Sequence, residues 1–213
     1  MIKFCISLCT CVLAFAFVST VGASRASAQD NMKGMQGMKG MQGEAHGHMG
    51  FDYKASVLSD IKDTEKKFVG LAQAIPADKY TWRPGDGVRS VSEVFLHIAG
   101  ANFGMPGFLG AAPAEGFNRQ GFEKSTTDKH KVIEQLNKSF AYLESAVENE
   151  ANADLAKETK IFGGHEATHG EVLFMIITDL HEHLGQMIAY ARMNGVVPPW
   201  TAARQAAPHK STM

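Results

Sequence analysis

Four stretches of this chain carry apolar residues at helical spacing, each with its own start and stop signals, and none sustains a two-residue alternation. A chain patterned this way must bury four apolar stripes against one another, which a helical bundle does. The first stretch, "FDYKASVLSDIKDTEKKFVGLAQAI", sets Val57, Leu58, Ile61, Phe68, Leu71 and Ile75 near one stripe, and Pro76 closes it. A loop, "YTWRPGDGVR", separates it from the second, which opens on the capping-box pattern Ser90-x-x-Glu93 and runs "VSEVFLHIAGANF". The third begins after Thr126–Asp128 and keeps Val132, Ile133, Leu136, Phe140, Leu143 and Val147 in register. The fourth, "EVLFMIITDLHEHLGQMIAYARMNG", starts from Thr168-x-x-Glu171 and stops at Gly195, with Pro198 and Pro199 beyond. Residues 155–167 suit a short hairpin or an extended loop. The expected fold is all-α, a four-helix bundle over 51–200, followed by a flexible C-terminal tail over 201–213.

Before the bundle the chain changes character twice. Residues 1–28 have a positive start at Lys3, a short apolar run "LCTCVLAFAFV" and small residues "ASA" before Gln29, the pattern of a cleaved signal peptide. Export to the periplasm or medium is the expectation, with no membrane span left after cleavage. All three cysteines, Cys5, Cys9 and Cys11, lie in that leader, so the remaining 29–213 excludes disulfides, thiolate metal sites and cysteine nucleophiles. A formal net charge of −1 for the whole chain leaves no electrostatic case for nucleic acid. Residues 29–50 repeat "MKGMQG" and end in "EAHGHMG", too rich in glycine to hold a helix and expected to be disordered. Their Met32, Met35, Met38, Met41, Met49, His46 and His48 are soft ligands of the kind that take Cu(I), although such a repeat can also be a mere spacer.

Chemistry concentrates in the fourth helical stretch, where Asp179, His181, Glu182 and His183 interrupt apolar sequence. A helix turns about 100° per residue, so Asp179 and His183 lie on one face roughly 40° apart, and His181 points roughly 200° from His183. An Asp/His pair beside a core is costly unless a metal or a mutual hydrogen bond satisfies it. His97, flanked by Phe95, Leu96 and Ile98 in the second stretch, offers a third ligand from a facing helix. His97, Asp179 and His183 together would suit a divalent ion and leave positions open for water or substrate. His181 and Glu182 are expected to support the site from behind or to meet solvent. The string "HEATH" at 165–169 matches the zinc-protease pattern H-E-x-x-H, but Gly163, Gly164 and a cap at Thr168 leave His165 outside any helix.

"IPADKYTWRPGDGVRSVSEVFLHIAGAN" and "HLGQMIAYARMNGVVPP" make the chain resemble the DinB/YfiT-like superfamily of metal-binding four-helix bundles over about residues 53–200. The resemblance implies that His97 and His183 bind a divalent metal and that Gln186 matches the Gln of the family's H-x-G-Q ending. Where the family often has a further histidine, this chain has Asp179, giving a two-histidine, one-carboxylate set suited to Zn, Ni, Mn or Fe(II). Characterised relatives include metal-dependent thiol S-transferases and a maleylpyruvate isomerase using a thiol cofactor. The expected function is a metal-dependent transferase or hydrolase acting on a small molecule, with homodimerisation open. The alternative is a non-catalytic exported protein that binds or sequesters metal.

Overall fold

The computed structural model describes residues 51–207; the expected signal peptide at 1–28 and the expected disordered segment 29–50 lie outside the described residues, as do 208–213. Four long helices carry the fold: α1 (Tyr53–Ala74), α2 (Val91–Gly104), α3 (Lys129–Asn149) and α4 (His169–Met193). Each begins on a side chain that satisfies otherwise orphaned backbone N–H groups. Asp52 caps α1 and Asp128 caps α3, and full capping boxes start α2 (Ser90 with Glu93) and α4 (Thr168 with Glu171). Between α3 and α4 a hairpin does form, with β1 (Glu158–Lys160) antiparallel to β2 (Glu166–Thr168). A fifth helix, α5 (Pro199–Ala206), occupies part of the stretch expected to be a flexible tail, and packs on α1. Its start follows from Pro199 at the first helical turn, where a missing N–H costs nothing. No helix among the described residues is long and apolar enough to cross a membrane.

The helices form a ring in which α1 packs on α3 and α4, and α2 packs on the same two. α1 and α2 therefore sit at opposite corners, and the segment 75–90 must cross the end of the bundle to join them. Two side chains hold that crossing. The Ala72 carbonyl would ordinarily accept from the N–H of residue 76, but residue 76 is proline. The fully buried Tyr80 hydroxyl donates to it instead, at 2.6 Å. Lys129 at the start of α3 donates its ammonium protons to the carbonyls of Gln73 and Ile75, 2.7 and 2.8 Å away. Burial raises the Tyr80 hydroxyl pKa, so it remains a proton donor throughout the ordinary pH range. The core between the helices is filled by Phe68, Leu71, Phe95, Leu136, Phe140, Leu173 and their neighbours.

At the far side of the hairpin, His169 and Glu150 form a buried pair, Nδ1 to Oε1 at 2.8 Å, with the residues only 3 % and 7 % exposed. Lys54 donates to the Glu150 carbonyl at 2.7 Å. The contacts join the start of α1, the end of α3 and the start of α4.

Replacing Tyr80 with Phe keeps the ring in the core and leaves the Ala72 carbonyl without a donor. The expected loss is about 1–3 kcal/mol, the cost of a buried acceptor left unmade. Denaturant unfolding of the two proteins checks it, the midpoint falling at an unchanged slope.

Candidate metal centre

The site lies on the seam between α2 and α4. α4 stands between α1 and α2, so its two sides face different neighbours. Asp179 and His183 fall on the α2 side, as the angular spacing requires, and meet His97 there: the His97 and His183 rings pack edge to face with centroids 4.6 Å apart. His181 falls on the α1 side, where its Nε2 lies 2.8 Å from Asp60 Oδ2 in an exposed pair. Glu182 is exposed. One ligand atom from each of His97, Asp179 and His183 lies within 4.8 Å of the other two, a cluster that could hold a metal ion.

The two imidazoles are held at their Nδ1 atoms. His97 Nδ1 meets Glu123 Oε1 at 2.6 Å, and His183 Nδ1 meets Gln186 Oε1 at 2.8 Å. With Nδ1 so engaged, Nε2 is the remaining nitrogen of each ring, and His183 Nε2 stands 3.7 Å from Asp179 Oδ1. That separation is too long for a hydrogen bond. Burial pushes the Asp179 carboxyl above its ordinary range, against the opposing pull of charge on His183, His97 and Arg89. Two imidazoles and a partly buried carboxylate that has no hydrogen bond among the described residues form a donor set that a divalent cation fits.

Glu123 was not visible as a site residue in the sequence. It comes from a 3-10 turn, Phe122–Lys124, in the long connection between α2 and α3. The turn is laid onto α2 by its aromatic neighbour: Phe122 lies over Gly100, where even a methyl group would come to 3.4 Å of the ring. Phe122 also meets Phe117 edge to face, 5.1 Å between centroids, and Phe117 packs at a tilt on Phe103 of α2 at 5.0 Å. Gly121 supplies the left-handed φ of +73° that turns the chain into this position. Glu123 then accepts from Arg89 at 2.9 and 3.4 Å as well as facing His97. Burial acts to raise its pKa, but the hydrogen bonds from Arg89 and His97 outweigh burial and hold it below the ordinary carboxylate range.

The "HEATH" string takes no part. His165 and Glu166 are exposed in the hairpin, and His169, at the first position of α4, is the residue buried against Glu150. The two histidines do not share a helical face, as the zinc-protease arrangement requires.

Comparison with known proteins gives one consistent match. A family model described as the DinB superfamily matches residues 60–187. No curated protein matches the sequence at a significant level. Among solved structures, a DinB-like protein from Bacillus cereus superimposes with a TM-score of 0.61 at 16% identity, covering 70% of this chain and 98% of that one. A DinB-like protein from Bacillus subtilis gives 0.53 at 19% identity, covering 67% and 93%. A mycothiol-dependent maleylpyruvate isomerase gives 0.52 at 12% identity, covering 63% of this chain and 60% of the enzyme. At these identities the structural matches speak for the fold.

The raised pKa of Asp179 fixes the sign of a stability effect. A carboxyl whose pKa is higher in the fold contributes most at acid pH and loses that contribution as pH rises through the folded value. In metal-free protein, Asp179→Asn should therefore raise the thermal midpoint near neutral pH, and the gain should vanish on acidification. A lower midpoint at neutral pH would mean that attraction to the histidines outweighs the burial of the charge.

Proposed function

The chain belongs to the DinB superfamily, and on that footing we propose that it is an exported divalent-metal protein whose ligands are His97, Asp179 and His183. The reading extends to catalysis: a metal-dependent transferase or hydrolase acting on a small molecule at the α2–α4 seam. The observation that carries it is the meeting of two imidazoles and one partly buried carboxylate whose ligand atoms lie within 4.8 Å. A divalent ion bound there supplies Lewis acidity toward a water or a small thiol. The protein's part is to bind and orient. Glu123 and Gln186 hold the two rings at Nδ1. The mycothiol-dependent isomerase among the structural matches favours a low-molecular-weight thiol as co-substrate. The identity of the ion among Zn, Ni, Mn and Fe(II) follows from the ligand types only to that set.

Zinc or nickel titration of the purified protein tests the site. His97→Ala, Asp179→Ala and His183→Ala should each weaken binding by more than about tenfold, a loss that even supporting residues produce. His181→Ala, which breaks only the exposed pair with Asp60, and Glu166→Gln, in the hairpin, should leave it unchanged. If His181→Ala is damaging and Asp179→Ala harmless, the metal lies on another face. With metal content established, a screen of thiol transfer and hydrolysis separates an enzyme from a protein that only holds the ion.

A second reading rests on residues 29–50, whose methionines and histidines favour an exported protein that captures soft metal ions. On this reading the segment binds Cu(I) independently of the bundle. Deleting 31–49 should abolish copper uptake and leave the zinc stoichiometry of the remainder intact. Copper stoichiometry that survives the deletion would reduce the segment to a spacer.

A further inference from the structure

We propose that Arg89 is a positioning residue for both histidines of the site, setting the ligand atom of His97 through its side chain and that of His183 through its main-chain carbonyl. The inference deepens the metal reading above but stands on hydrogen-bond polarity within the protein.

The His183 arm is fixed by following the protons back from its end. The Arg89 carbonyl can only accept, and it lies outside α2, one residue before the Ser90 cap. Tyr190, 3.1 Å away, must therefore donate its hydroxyl proton to it. That hydroxyl then accepts from Gln186 Nε2 at 3.2 Å. With its NH2 group so placed, Gln186 presents its carbonyl Oε1 to His183, 2.8 Å from Nδ1. The proton of the neutral ring must then sit on Nδ1, and Nε2 keeps its lone pair on the side of Asp179. Trp82 packs edge-on against Tyr190 at 5.4 Å, restricting where the phenol ring can go.

The His97 arm runs through charge. The Arg89 guanidinium grips Glu123 with Nε at 2.9 Å and a second nitrogen at 3.4 Å, a two-point contact that fixes the plane of the carboxylate. Glu123 Oε1 faces His97 Nδ1 at 2.6 Å and, as an ionised acceptor, holds the proton there. The Nε2 of His97 is again the free lone pair. One residue at the entry to α2 thus orients a ring on its own helix and, through Tyr190 and Gln186, a ring on α4. No sequence spacing announces this, because the two arms use different atoms of Arg89 and reach residues 34 and 101 positions away.

Nitrogen-15 spectra of the histidine rings in the metal-free, full-length protein, at a pH where both are neutral, read the two arms separately. In the wild type, both His97 and His183 should carry the proton on Nδ1. Arg89→Met keeps the aliphatic stem and loses the fork; it should shift His97 alone toward the Nε2–H form that an unconstrained histidine side chain favours in water. Glu123→Ala should do the same more completely. Tyr190→Phe should shift His183 alone. Zinc titration of each variant should show binding weakened about tenfold or more. Unchanged rings and unchanged zinc affinity in Arg89→Met overturn the proposal, as does a wild-type His97 already protonated on Nε2. A loss of packing at the end of α2 would disturb both rings in every variant, and that result also counts against it. If the wild type binds no zinc, the metal reading fails while the ring spectra still decide the role of Arg89.

Discussion

α2 is apolar almost all round, with nine of its fourteen residues buried, and a helix of that kind is stable only if it is covered on every side. α3 and α4 cover two of its faces, and α1 cannot help because it stands at the opposite corner. The remaining cover has to come from the chain leaving α2. The segment 105–128 folds back across the helix, seating Phe122 on Gly100 and packing Phe117 on Phe103. The same demand for cover carries Glu123 to His97. Hydrophobic burial of α2 thereby places the carboxylate that holds the His97 ring, and the candidate site depends on a packing requirement that has nothing to do with metals.

The polar groups at the seam show a division of labour that follows from exposure. Glu123 is gripped by Arg89 and keeps its charge easily; Asp179, without such a partner, is pushed toward its neutral form by burial. A carboxylate left short of partners beside two oriented imidazoles costs stability in the metal-free protein and returns it when a cation is present. On the proposed metal reading, Asp179 would therefore couple loading to folding more strongly than a neutral ligand at the same position. The histidine on the other side of α4, His181, sits half in water with Asp60, where an ion pair of this kind contributes little.

His169 is a useful contrast. It is more buried than either proposed histidine ligand and has a carboxylate at hydrogen-bond distance, yet no third donor group among the described residues converges on it. Its Glu150 partner belongs to a residue already tethered by Lys54, and the group joins three helix ends. Burial and a carboxylate neighbour are thus not enough to mark a metal site. Convergence of a third donor is what separates the α2–α4 seam from this structural pair.

Much of the fold was legible in the sequence because it rests on local rules. The capping boxes at Ser90 and Thr168, the stop at Pro76 and the apolar registers of α1, α3 and α4 are set within a few residues of where they act. The angular relation of Asp179, His181 and His183 is equally local, since a helix fixes it at about 100° per residue. His97 could be suspected from its apolar flanks, but its pairing with α4 required the ring order of the helices. Glu123, Arg89 and Tyr190 were beyond reach for a plainer reason. The contacts that link them, Glu123 to His97, Arg89 to Glu123 and Tyr190 to Arg89, span 26, 34 and 101 residues, and they depend on a turn laid down by aromatic packing and on an Arg89 carbonyl that carries no sequence identity. Residues 201–206, expected within a flexible tail, are helical in α5 on the same principle: its packing on α1 is not revealed by composition. Local hydrogen-bond chemistry is written in neighbouring residues, whereas the orientation of a ligand by distant atoms exists only once the chain has folded.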